Sequence, residues 1–296
     1  MRRMTRLLWL FFLITLTPAL QGMTIRLPAP EGANDSRYPY FTQLLQLALD
    51  HTALKGQYQL TTYPREVTQS RVFALINAGE LDLVWSMTDL EREKRFLPIR
   101  IPLMQGLLGY RVILINRQDE ARFARMSVAE LKQLACYQGA DWPDTPILAA
   151  NGFKVRGVSD YKRIHTMLDK GAIHCFPRGI LEAWGEITMK RLKNTVVDRH
   201  FLLIYPTDVY FFVHRDNQTL AAQIEKGLRA AIEDGSFTRL LYTYPPHQEA
   251  LDKADLSHRE IIYLKNPLLP PLTPLQESRL WFSLPKPASK MNSNNQ

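Results

Sequence analysis

The chain has 296 residues, enough for two domains, with an ordinary apolar content of 46% and a formal charge of +8. No dense Lys/Arg run interleaved with aromatic residues occurs, which argues against nucleic acid as a partner. The two cysteines and seven histidines show no metal-ligand spacing, and neither a metal nor a cofactor is expected.

In chain order, Arg2, Arg3 and Arg6 precede the apolar run Leu7–Leu16, and Thr17-Pro18-Ala19 and Gly22 offer small residues for cleavage. This is the pattern of a secretory signal over residues 1–22. The apolar run falls well short of the roughly 20 residues a spanning helix needs. No cysteine lies near the cleavage region, so a periplasmic protein without a lipid anchor is expected. Without the leader arginines the chain carries about +5, which serves solubility or a cleft suited to an anionic solute.

Thr24–Leu27 reads as a strand and Pro28–Pro39 as a loop rich in turn residues. Arg37, Tyr38 and Tyr40 follow that strand's carboxyl end, where they could line a cleft or, for the tyrosines, pack on the next helix. Phe41, Leu44, Leu45 and Ala48 recur at helical spacing. Tyr58–Tyr63 is a second strand, and Thr68 can cap a helix through Asn77. Gly79 ends that helix, and Leu81–Trp85 is a short continuous apolar strand. In an open α/β sheet, ligands sit beyond the carboxyl ends of such strands, which puts Ser86, Met87 and Thr88 at a candidate site.

Gly79, Asp82, Thr88, Arg92 and Pro102 follow the order G-x-x-D-x-x-x-x-x-T…R…P. This resembles the first-lobe signature of family 3 periplasmic solute-binding proteins, which have the two-lobed type II fold and often carry amino acids. Arg92 lies four residues after Thr88 where three is usual, and Pro98-Ile-Arg-Ile-Pro102 replaces the family's Phe-Ser-x-Pro. The resemblance implies that Arg92 grips a carboxylate through paired hydrogen bonds, with Thr88 beside it. By its neighbours alone, in the mixed run Glu91–Arg95, Arg92 would instead sit on a solvated helix face.

Tyr110–Ile115 is a strong strand that can leave one lobe for another, with Gly109 before it. Ser127-Val-Ala-Glu130 is a capping box ahead of a short helix. Ala135–Gln138 follows as a strand, closed by Gly139. The resemblance implies ligand contacts from Gln138, Gly139 and Trp142 at this turn; by their own chemistry, Trp85 and Trp142 are read as flat apolar walls. Cys136 and Cys175 sit in strand-like runs that could lie side by side. Neighbouring parallel strands rarely offer disulfide geometry, so two buried thiols are favoured. Pro177-Arg178-Gly179 ends a strand read over Ala172–Phe176. Where amino-acid binders of the family place an acidic residue, this chain has Arg178. It is either a second cation facing an anionic ligand, with Gly179 beside it, or tied to Glu182 at helical spacing. Phe201–Tyr205 and Val209–Val213 flank Pro206, and the second strand would return the chain to the first lobe. Thr219–Glu233 is an amphipathic helix stopped by Gly235. The resemblance covers residues 24–245; beyond it a proline-rich tail is expected to wrap the surface, and 283–296 to be disordered.

The expected architecture is a two-lobed α/β protein of type II periplasmic-binding-protein-like fold, each lobe a mostly parallel sheet flanked by helices. Lobe 1 is residues 23–108 plus 210–282, lobe 2 is 109–209, and there are two hinge crossings. The expected function is binding of a small, polar, anionic solute by a monomer that serves an ABC permease or a membrane sensor, not catalysis. An exported hydrolase or transferase, or an interaction module that binds no solute, are the alternatives.

Overall fold

A computed structural model describes residues 22–32 and 35–284. The expected signal and most of the expected disordered tail lie outside the described residues. None of the described helices is long and apolar enough to cross a membrane.

Lobe 1 begins with β1 (Met23–Leu27), paired in parallel with β2 (Tyr58–Thr62). The helix α1 (Arg37–Asp50) connects them. After α2 (Gln69–Asn77), Gly79 takes φ 68° to turn the chain into β3 (Leu83–Met87), as a left-handed helix end requires. The Asp82 amide donates to the Arg26 carbonyl at 2.9 Å, which joins β3 to the edge of β1. After α3 (Leu90–Arg95), β4 (Leu97–Ile99) and the returning β11 (Val209–Val213) complete the sheet, with β11 antiparallel to both β3 and β4. Both faces are covered. Val72, Phe73, Ile76, Val84, Phe96 and Phe212 close one side, while α1 and α9 (Gln218–Glu233) close the other.

Lobe 2 is built on β5 (Tyr110–Asn116). It pairs antiparallel with β8 (Phe176–Gly179) on one side and with β9 (Thr195–Val197) and β10 (Phe201–Ile204) on the other. The parallel pair β6 (Cys136–Gly139) and β7 (Val155–Val158) extends the β8 side. Between them lie α4 (Glu120–Phe123), α5 (Val128–Gln133), α6 (Asp144–Ala150) and α7 (Lys162–Asp169), with α8 (Ala183–Met189) after β8. The capping box at α5 is complete: the Glu130 amide donates to Ser127 Oγ, and the Ser127 amide donates to Glu130 Oε2. The sheets are mixed rather than mostly parallel, because the strands that leave and re-enter the lobes run against their neighbours.

Three expectations are corrected. Cys136 and Cys175 form a disulfide, with Cα atoms 4.5 Å apart. Cys175 lies before β8 in a single isolated bridge to Cys136 rather than inside a regular ladder, and there the side chains can meet. The domain boundary at residue 210 does not hold for the whole C-terminal part. After α10 (Ser236–Thr243), α11 (Pro245–Ala254) packs on α8, and β12 (Glu260–Tyr263) adds a parallel strand to β10 in lobe 2. Buried Ile262 and Leu264 supply the apolar reason. The tail then runs back to the hinge and lobe 1. Phe282 donates its amide to the Gln105 carbonyl, Glu277 pairs with Arg229 of α9, and Trp281 packs on Gly106. The two expected crossings are thus joined by two more.

The expected crossings lie side by side. The Tyr205 amide donates to the Gly109 carbonyl, and a Cβ on Gly109 would sit 2.0 Å from the Tyr205 oxygen, so only glycine fits. Asp208 fastens the second crossing to the first by accepting from the amides of Met104 and Gly106.

Candidate functional site

Between the lobes lies a cleft of about 830 Å³, within the usual range for small-molecule sites. Its walls are aromatic. On lobe 1, Trp85 projects from β3, stacked on Phe41 at 5.2 Å and touched edge-on by Tyr38 at 5.4 Å. On lobe 2, Trp142 follows β6 and packs so closely over Gly139 that a Cβ there would meet the indole at 2.6 Å. Tyr161 lies 5.0 Å from Trp142, and the Arg178 guanidinium sits 4.7 Å over the indole face.

The floor is a buried ion network. Arg178, 4% exposed, donates to both Glu186 oxygens, at 2.5 and 2.9 Å, and pairs with Glu182 at 3.2 Å. Burial alone would raise the Glu186 pKa. The Arg178 charge and the hydrogen bonds from His165 and Arg178 outweigh it and hold the carboxyl below its usual value. Arg111, 2% exposed, pairs with Asp144 at 2.7 Å, reaches Glu182 at 3.5 Å, and donates to Tyr205 at 2.9 Å. Glu182 also takes Arg37 from lobe 1 at 3.3 Å. Two further contacts close the mouth across the lobes, Tyr161 with Glu31 and Lys162 with Glu66.

Of the residues expected at the site, Arg37, Trp85, Ser86, Met87, Trp142 and Arg178 line the cleft. The rest do not. Tyr38 backs Trp85 and bonds Thr62. Thr88 is buried and donates to Glu93. Gln138 is buried and donates to the Pro177 carbonyl, tying β6 to β8. Gly139 seats the Trp142 ring, and the Gly179 amide donates to Glu182.

Arg92 is occupied within lobe 1. It donates to Met87 O at 2.6 Å, Ser86 Oγ at 3.0 Å and Gln69 Oε1 at 2.6 Å, and pairs with Asp89 at 3.1 Å. Asp89 caps α3, its side chain accepting from the Arg92 amide. Gln69 and Ser86 line the cleft and take the donors that a ligand would need.

Sequence reading passed over Arg111, Asp144, Tyr161 and Lys162. Arg111 alone left a local signal, an arginine inside the apolar strand YRVILI, where a buried charge demands partners. The partners come from residues 33 and 71 positions away, which no local pattern marks.

No family model matches the sequence, and no curated protein does. Solved structures resemble it. A probable amino-acid ABC transporter extracellular-binding protein from Bacillus subtilis covers 77% of this chain and 99% of its own at TM-score 0.57 and 16% identity. An ancestral arginine-binding protein bound to arginine covers 76% and 99% at TM-score 0.56 and 13% identity. The periplasmic VFT2 domain of BvgS from Bordetella pertussis covers 75% and 93% at TM-score 0.57 and 14% identity. The chain therefore has the two-lobed α/β fold of type II periplasmic binding proteins.

Proposed function

We propose that the chain binds a small polar solute between its lobes and hands it to an ABC-type permease or reports it to a membrane sensor, in the periplasm and without catalysis. The fold supports this, since its solved neighbours include both a transporter's binding protein and sensor domains. The observation that carries the reading is the cleft itself: Trp85 from one lobe and Trp142 from the other line it above a buried ion network, at the boundary of two lobes that can move about a hinge.

The lining also bears on ligand charge. It holds seven carboxylates against four cations, and each cation already has a carboxylate partner. Asp141 and Asp160, both exposed, have no ion-pair partner among the described residues. This favours a solute with a cationic group, such as an amino acid with a basic side chain, over the anionic solute read from the sequence.

Thermal unfolding of the purified protein against arginine, lysine, glutamine, glutamate and succinate tests this. A ligand at 100 times its Kd adds about 2.7 kcal/mol. Asp141→Asn with Asp160→Asn should weaken a cationic hit at least tenfold. A shift from succinate alone would overturn the charge assignment, and no shift from any member would overturn solute binding.

A further inference from the structure

A second cavity, of about 610 Å³, opens on the outer side of lobe 2, where α8, β9 and the C-terminal α11 meet. Its apolar side is Trp184, Ile187 and Val196, all half-buried. Its other side is cationic, with Arg117, Arg199 and Arg259. The two rim carboxylates are held by neighbours: Asp255 bonds His258 at 2.5 Å, and Glu120 lies 4.0 Å from Arg117.

Arg259 sets this cavity apart from the interlobe cleft. It is 92% buried, being only 8% exposed. Its Nε donates to the Ala254 carbonyl at 2.6 Å, and Nη1 to the carbonyls of Asp198 and Phe201 at 2.6 and 3.0 Å. Among the described residues it has no carboxylate in ion-pair range, and its Nη2 makes no hydrogen bond. Main-chain carbonyls fix its position without cancelling its charge. Burying a cation in this way is unfavourable unless an anion faces it. Burial lowers the Arg259 pKa, and the more distant carboxylates of Asp198 and Asp255 offset this only in part. Arg199, exposed and without an ion pair among the described residues, stands on the same cavity. In the cleft every lining cation is paired with a carboxylate, whereas Arg259 and Arg199 make no ion pair among the described residues and share their cavity with Trp184.

We propose that this outer pocket binds an amphiphilic organic anion, with its carboxylate or phosphate against Arg259 and Arg199 and its apolar body against Trp184 and Ile187. A guanidinium held at Nε and Nη1 still offers the hydrogens of Nη2 to an oxyanion. The pocket exists because the chain returned to lobe 2 after α10. An anion there would tie α11 and Arg259 to α8 and β9, strengthening the docking of the C-terminal part on lobe 2.

The test titrates octanoate and octyl phosphate by calorimetry and tryptophan fluorescence, with octyl glucoside and inorganic phosphate as controls. Saturable binding of at least one amphiphilic anion is expected, with octyl glucoside at least tenfold weaker. Arg259→Ala could loosen the fold, so Arg199→Glu, an exposed change, carries the argument. It should weaken binding at least tenfold at unchanged melting temperature and leave cleft ligands unaffected. Trp184→Phe should remove the fluorescence response while calorimetric binding persists. Equal binding of octyl glucoside, equal binding of inorganic phosphate alone, no saturable binding, or an unchanged affinity in Arg199→Glu would each overturn the proposal.

Discussion

Replacing Arg178 by Met is the sharpest probe of the cleft floor. Arg178 is 4% exposed and forms a two-pronged pair with Glu186 plus a contact to Glu182. Met keeps much of the apolar stem but leaves Glu186, 6% exposed, with His165 as its remaining partner at 3.1 Å. Glu182 keeps Arg37 and Arg111. Stranding one carboxylate in this way costs about 3–5 kcal/mol. At roughly 2–4 °C per kcal/mol for a chain of this size, the melting temperature should fall by roughly 6–20 °C at pH 7. The difference should depend on pH. The Glu186 carboxyl is depressed in the folded state, so its contribution is present above the unfolded value near 4.5 and is lost as pH falls below it. Arg178→Met should therefore approach the parent in stability as pH falls below that value. Calorimetric scans of both proteins from pH 8 to pH 3 measure this. A loss under about 1 kcal/mol at pH 7, or a deficit that widens in acid, would refute a floor held by this pair.

Two further perturbations test the frame. Cys136→Ser with Cys175→Ser opens a loop of 39 residues and should cost about 4 kcal/mol in urea denaturation, with reductant having the same effect on the parent alone. Gly227→Ala should destabilise although alanine is the better helix former by about 1 kcal/mol. Its Cβ would lie 1.8 Å from the Ala48 carbonyl oxygen where α9 crosses α1, a backbone clash that costs about 1–3 kcal/mol, read from the same denaturation curves.

The two-lobed architecture was legible because its signals are local. Apolar runs alternate with helical spacing, Gly79 and Gly235 stop helices with positive φ, and Ser127 and Glu130 complete their box within one turn. Gly109 and Pro206 mark the crossings for the same reason. The aromatic walls were also visible, since Trp85 closes the apolar run that becomes β3 and Trp142 follows β6. The site's charge was not. The Arg178–Glu182 pair was one of two readings at helical spacing, but the closer partner Glu186 and the ties of Arg111 and Arg37 to Glu182 come only from the fold.

By itself, then, the sequence determined which segments become strands and helices, and that the chain leaves one lobe and returns, because those features depend on residues within a turn or two of each other. Tertiary structure decided three things. It set Arg92 within lobe 1 rather than in the cleft, it joined Cys136 to Cys175, and it carried β12 back to the edge of β10. Each turns on the distance between groups far apart in the chain. Burial makes such distances energetically decisive, since a charge or polar group removed from water must find its partner wherever the fold puts one.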